Sequence, residues 1–272
     1  MFRKLLKYDL MSVWRTGWGT LPVMLVCTLL ATVAANFLNR LVDNSSSYAL
    51  PYVVCTLLVV LGLFGVMASV VAICILAYMR FYKNLFTDEG YLTFTLPVKR
   101  STLLMSKTVN SAIWMASYVL LLIFCLLFFF AFGGFDMDVI GDIGRFISDG
   151  ISALGGWTVL YVIAIAAFLV SGLFFSISVL HFSIATGTAI TKKAKVLGII
   201  GIYYLSGVVT PFVLPLSGLF GIAELAYFFS LPKVGHFSVI LVIILLALIY
   251  FGVGLVFYFM TLDRMSRKLN LE

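Results

Sequence analysis

Along the chain, long uncharged apolar stretches alternate with short polar ones. Six of the apolar stretches reach the length needed to cross a bilayer: Thr20 to Leu38, Tyr52 to Met79, Val109 to Phe132, Trp157 to His181, Val196 to Leu216 and Phe237 to Thr261. A hydrocarbon core about 30 Å thick takes about 20 apolar residues of helix. A closed β-barrel would instead show segments of alternating polarity roughly ten residues long. Leu120 to Phe132 (LLLIFCLLFFFAF) is apolar on every face, so the pattern predicts helices. The expectation is an all-α polytopic membrane protein, with six transmembrane helices forming a single transmembrane domain over residues 1–272.

The polar stretches have patterns of their own. Phe2, Leu6, Leu10 and Val13 recur at helical spacing, with Arg3, Lys4 and Lys7 on the other arc. This predicts an amphipathic elbow helix over residues 1–19, lying among the headgroups with Trp14 and Trp18 at the interface. Between the third and fourth runs, residues 133–156 carry four Asp between glycines. Ile140, Ile143, Phe146, Ile147 and Ile151 there mark a short interfacial helix. Between the last two runs, residues 210–237 stay apolar, yet Pro211, Pro215, Gly218 and Gly221 argue against one continuous helix. A re-entrant pair of half-helices near the outer face is expected there. Glu224, the one carboxylate in the segment, becomes a candidate outer-gate residue.

Composition agrees with a membrane protein: 63% hydrophobic and 11% charged residues, with a mean hydropathy of +1.16, against about 25% charged in soluble domains. The distribution of charge adds an orientation. Fifteen of the 18 Lys and Arg fall on one side of the six runs, leaving Arg40, Arg145 and Lys233 on the other. The positive-inside rule then places both termini in the cytoplasm of a multi-pass cell-membrane protein. The net charge of +7 is read as topology, not as nucleic-acid binding. The first run is expected to be retained, not cleaved as a signal peptide. Cys27, Cys55, Cys74 and Cys125 all lie within runs and are expected to be packing residues.

Soluble-enzyme chemistry is sparse. Gly187 is followed by TAITKK, which lacks the second glycine of a phosphate-binding loop, and HExxH is absent. The acidic loop FDMDVIGDIGRF lacks the closing Glu of a Ca²⁺-binding loop. His181 and His236 have no carboxylate or Cys beside them in sequence. Ser171, Ser176 and Ser178 supply nucleophiles without a convincing base. No catalytic residue, metal site or bound cofactor is therefore assigned to the chain.

The second polar loop, residues 80–108, is the segment that points to a mechanism. Arg80, Tyr82 and Lys83 end a helix that projects past the bilayer. Thr87-Asp88-Glu89-Gly90 supplies a turn, and Leu92, Phe94 and Leu96 form an apolar patch stopped by Pro97. A basic helix then starts at Arg100-Ser101-Thr102-Leu103-Leu104 and leads through Lys107 into the third run. Two readings are open on the residues: a solvated loop joining two spans, and a compact knob that lodges in a cleft of a second protein.

The order Glu89-x-x-Leu92, then Leu96-Pro97-Val98-x-Arg100, then Leu103-Leu104-x-x-Lys107, resembles the intracellular loop of type-2 ABC transporter permeases of bacteria. The resemblance implies that Leu96 to Leu104 is the cytoplasmic coupling helix, docking into a separate ATPase subunit. Thr87, Asp88, Glu89 and Gly90 would be its flanking turn. Pro97, Val98, Lys99, Arg100, Leu103, Leu104 and Lys107 would complete the contact, with Thr186 to Lys195 as a second one. Phe94-Thr95-Leu96 is bulkier and more β-prone than the family's usual run. The implied partners are two ABC ATPase subunits, which would bind ATP and Mg, and a second permease copy or related permease. The implied cargo is an amphipathic peptide, lipid or drug-like molecule, favoured by the aromatic and Met positions Phe128 to Phe130, Tyr203, Tyr204 and Met115. No buried charge is expected in the spans. Two further possibilities are a non-transporting scaffold or sensor that recruits a cytoplasmic protein through residues 80–108, and an intramembrane enzyme.

Overall fold

The structure is a computed structural model that describes residues 2–43, 49–95, 97–134, 138–190, 198–206 and 236–267. Every regular element among them is helical. In chain order these are α1 (Phe2–Gly17), α2 (Thr20–Asp43), α3 (Ala49–Phe86), α4 (Asp88–Phe94), α5 (Arg100–Phe132) and α6 (Asp138–Leu154). A 3₁₀ turn at Gly155–Trp157 leads into α7 (Thr158–Ile190). A short helix over 198–206, α8, and α9 (His236–Arg267) follow.

Five of these helices are long and apolar enough to cross a membrane: Thr20–Leu41, Leu50–Phe86, Arg100–Phe132, Gly155–Ile190 and His236–Ser266. The chain is an all-α, multi-pass membrane protein. Of the fifth run, Val196 to Leu216, only 198–206 is described, and it is helical. The expected re-entrant segment, Glu224 included, lies outside the described residues apart from His236 and Phe237, which open α9. The helices outrun the apolar stretches. α3 has 38 residues and α5 has 33, about 57 and 50 Å at 1.5 Å per residue. Their extra turns carry Arg80, Lys83, Arg100 and Lys107.

The described chain divides into two compact units. One comprises Lys7–Met79 and Ile113–Ala153. Its core holds Val13 of α1, Met24 of α2, Val66 and Ile73 of α3, and Trp114, Tyr118 and Cys125 of α5. The amphipathic pattern of α1 thus has a packing cause, since Val13 is buried and Trp14 stacks on Trp114 with ring centroids 5.9 Å apart. In lipid the hydrophobic effect does not drive helices together, so close packing of small residues carries more of the association. Gly62 and Gly65 of α3 meet that need: a Cβ at Gly62 would sit 2.7 Å from Ala31 Cβ and 2.8 Å from the Cys27 carbonyl. The Thr20 and Tyr118 hydroxyls hydrogen-bond across α2 and α5. All four cysteines are free thiols; Cys55 and Cys125 are buried, Cys27 and Cys74 half-buried.

At the far end of α5, the Gly133 amide donates to the Phe129 carbonyl at 2.8 Å, and Gly134 turns the chain with φ 78°. A side chain is disfavoured there, and an added Cβ would also stand 3.1 Å from Asn36 Cα. The expected helix in the acidic loop forms as α6, with Phe146, Ile147 and Ile151 exposed.

The other unit comprises Met1–Leu6, Arg80–Ala112 and Leu154–Glu272. Here α7 and α9 pack along each other through aromatic pairs, Phe175 with Tyr250 at 5.5 Å and Phe182 with Phe257 at 5.2 Å. Gly254 leaves room for Phe174. Gly187, near the end of α7, lets α8 approach, because a Cβ there would lie 2.5 Å from the backbone of Ile199.

Candidate functional site

The second polar loop and the helix ends around it fall within the second of these units. α4 starts at Asp88-Glu89, two acidic residues at the helix end that carries partial positive charge. The Gly90 amide donates to the Thr87 carbonyl at 2.7 Å, and the Thr95 hydroxyl to the Leu92 carbonyl at 2.8 Å. After Pro97 the Lys99 carbonyl accepts from the Thr102 and Leu103 amides at 3.0 and 3.2 Å, opening α5. The short helix therefore lies at Asp88–Phe94, ahead of the Leu96–Leu104 stretch expected to be helical, and Arg100 begins the long helix directly. Leu96 itself lies outside the described residues. A glycine inside α4 and the bulky Phe94-Thr95 pair hid this helix from a propensity reading.

Three polar links fix the loop to its surroundings. With its amide turned to satisfy both neighbours, Asn84 at the end of α3 donates from Nδ2 to Glu89 Oε2 at 3.0 Å and accepts from Lys107 Nζ at 2.8 Å. Arg100 Nη1 donates to the Met265 and Ser266 carbonyls at 3.2 and 2.8 Å. Those carbonyls belong to the last turn of α9, which has no intrahelical donors for them, and a cation there is favoured by the helix dipole. The Tyr258 hydroxyl donates to the Ser101 carbonyl at 3.2 Å. Arg100 also lies over the Phe94 ring at 5.9 Å.

This arrangement separates the sequence-assigned residues into two sets. Leu103, Leu104 and Lys107 are buried, Leu104 completely, with Lys107 only 7% exposed. They follow the inward stripe of α5 at 103, 104, 107, 108 and 111, which has helical period. Their side chains pack inside the fold of this chain. Glu89, Leu92, Pro97, Lys99 and Arg100 are exposed, Leu92 to 70%. Thr87 and Val98 are half-buried and Gly90 is buried. Asp88 heads α4.

Above the loop, the buried face of α5 and α7 is polar. His181 stacks on Phe81 with centroids 3.8 Å apart and planes 14° from parallel, and its Nδ1 is 3.5 Å from the Thr108 hydroxyl. Ser183 and Ser206 hydroxyls stand 3.4 Å apart. Asn110 Oδ1 and Thr186 Oγ1 are buried without a hydrogen-bond partner among the described residues. Such groups cost roughly 1–3 kcal/mol each when left unpaired. The Phe81–His181 stack has no local signal in the sequence, because pairing across 100 residues leaves no period. Within the second expected contact, Thr186 to Ile190 end α7 and the remainder lies outside the described residues.

Chemically the arrangement offers mechanical linkage: four helix ends (α3, α5, α7 and α9) and one exposed short helix joined by hydrogen bonds. Among the described residues no group of three or more His, Cys, Asp or Glu side chains converges as a metal site would require. No protein-family profile, curated protein or solved structure matches the chain.

Proposed function

We propose that this chain is the membrane-embedded permease subunit of an ATP-binding cassette transporter, coupled to a separate ATPase through residues 80–108. The observation that carries the reading is the α4–α5 connection. It exposes Glu89, Leu92, Pro97 and Lys99, yet is held by Asn84 and Arg100 to the ends of α3 and α9. A loop that only joined two spans would have no need of such anchoring. A loop that transmits force would, because a push on an unanchored segment is absorbed by its own bending.

In this account two ATPase subunits bind ATP and Mg, close on each other, and press on α4 and its flanks. The links to α3, α5 and α9 pass the displacement to the spans, and a central path opens outward. Both termini are cytoplasmic, and Glu224 sits at the outer gate. A second permease copy completes the path. The cargo is an amphipathic peptide, lipid or drug-like molecule. ATP hydrolysis belongs to the partner, so no catalytic residue is assigned here.

The test is purification of the tagged chain from its native membrane, followed by reconstitution of the captured complex in lipid. A stoichiometric subunit that hydrolyses ATP, with turnover changed by removal of the permease, is the expected result. A partner that neither binds nor hydrolyses ATP would replace the transporter reading with that of a scaffold or sensor.

A further inference from the structure

We propose that the outward arc of α1 is a docking surface for the acidic phospholipid headgroups of the membrane that the chain crosses. Within the unit of Lys7–Met79 and Ile113–Ala153, α1 divides cleanly around its axis. Asp9, Val13 and Gly17 are buried, and Leu10 packs with Val13 on the core that holds Ile73 and Trp114. A Cβ at Gly17 would stand 2.8 Å from Ile73 Cδ1, so this side is pressed against α3. Lys7, Tyr8, Met11, Trp14, Arg15 and Trp18 are exposed. At 3.6 residues per turn these positions share about one third of the helix circumference, away from the buried side. Leu10 and Val13, from the apolar arc of the sequence, are thus taken up by the protein. The arc left facing outward is both basic and aromatic.

Charge and position together select the occupant. Tyr8, Met11, Trp14 and Trp18 are between 54 and 69% exposed, a contiguous apolar surface that bulk water disfavours. Both charges set among them are cationic, and the one acid of α1, Asp9, lies on the buried side. Lys7 and Arg15 have no hydrogen-bond or ion-pair partner among the described residues, so their charge is open to a ligand. Aromatic rings interleaved with Lys and Arg suit the headgroup layer, which accepts an apolar ring and a cation side by side. The position agrees. Only Trp18 and Gly19 separate α1 from α2, and the turn is closed by the Trp18 amide on the Trp14 carbonyl at 2.9 Å and the Thr20 hydroxyl on the Gly17 carbonyl at 2.6 Å. Thr20 opens a helix long and apolar enough to cross the membrane, which sets Trp18 at headgroup depth. Val23 and Val26, each 53% exposed, continue an outward apolar surface into that span. A zwitterionic headgroup brings no net charge to meet the two open cations, whereas an acidic one does.

The inference rests on the fold and is independent of the transporter reading. To test it, the full-length chain is placed in nanodiscs of equal phosphatidylglycerol and phosphatidylcholine, with p-benzoylphenylalanine in place of Met11, inside the arc. After illumination the adducts are weighed by mass spectrometry. Lipid adducts should predominate, with phosphatidylglycerol favoured roughly fivefold, the equivalent of about 1 kcal/mol for a basic residue near an anionic surface. The preference should fall towards parity in about 1 M NaCl, where the reach of an exposed charge shrinks to about 3 Å. Lys7→Gln combined with Arg15→Gln, which removes no internal polar contact, should bring the two yields close to parity while the thermal midpoint stays in place. The same probe in place of Leu61, 65% exposed within α3, should capture both lipids equally. Capture of a second copy of the chain in place of lipid at Met11, equal lipid yields at low salt, or a preference untouched by salt or by the double variant would overturn the proposal.

Discussion

Truncating Leu104 and truncating Leu92 should have opposite consequences, although both residues belong to the same apolar, loop-proximal stretch of sequence. Leu104 is completely buried in the first turns of α5, whereas Leu92 on α4 is 70% exposed. Leu104→Ala removes three carbons from a packed site. At about 0.8 kcal/mol per methylene the transfer term is roughly 2.4 kcal/mol, and the cavity left behind brings the total to about 2–5 kcal/mol. The hydrophobic term applies in full because this end of α5, between Arg100 and Lys107, lies at the polar margin of the span. Leu92→Ala should change stability by less than about 0.5 kcal/mol. Thermal unfolding in lipid nanodiscs, followed by loss of monodisperse protein, reads both. Leu104→Ala should lower the apparent midpoint by several degrees while Leu92→Ala leaves it in place. An unchanged midpoint for Leu104→Ala, or an equal drop for the two, would refute the division of the loop into an internal and an outward-facing set.

Four further outcomes follow from the packing and the charge pattern. Gly62→Val should destabilise the protein by roughly 1–3 kcal/mol, because its side chain would meet Ala31 and the Cys27 carbonyl. Gly172→Ala, with no atom within 4 Å of the new Cβ, should be neutral or mildly stabilising in the same melting assay. Arg100→Ala should free the carbonyls at the end of α9 at a cost of about 1 kcal/mol, read as faster amide hydrogen exchange confined to the last turns of α9 and the start of α5. Unchanged exchange there would remove Arg100 from the anchoring role. For orientation, an impermeant thiol reagent should label Asp138→Cys from outside sealed cells and Lys193→Cys only after permeabilisation. The reverse pattern would invert the proposed topology.

What could be read from sequence followed from which physical signals are local. The five long helices are legible because lipid demands unbroken apolar runs, and α6 because Ile143, Ile147 and Ile151 repeat with helical period. The turns of α3 and α5 beyond the apolar runs are expected from Arg80 to Lys83 and from Arg100 to Lys107, but which of their side chains are buried is harder to read. Lys107 shows why: hydropathy counts a lysine as surface, yet this one lies on the buried stripe with Leu103, Leu104 and Thr108 and meets Asn84. The acidic start of α4 carried a helix signal in Asp88-Glu89, outweighed in a propensity reading by Gly90 and by Phe94-Thr95. The anchoring of Arg100 to Met265 and Ser266 joins positions more than 160 residues apart. No spacing rule reaches that far.

A permease coupled through residues 80–108 requires that α4 and its flank touch an ATP-hydrolysing subunit. The direct measurement is photo-cross-linking in native membranes with p-benzoylphenylalanine in place of Leu92 or Lys99, which are exposed and outside the buried stripe. Both positions should capture the same ATP-binding protein, with a yield that changes when ATP is trapped on it, and a probe in place of Phe146 on α6 should not capture it. Capture from Phe146 but neither loop position, or capture from the loop of a protein that binds no nucleotide, would contradict the assignment.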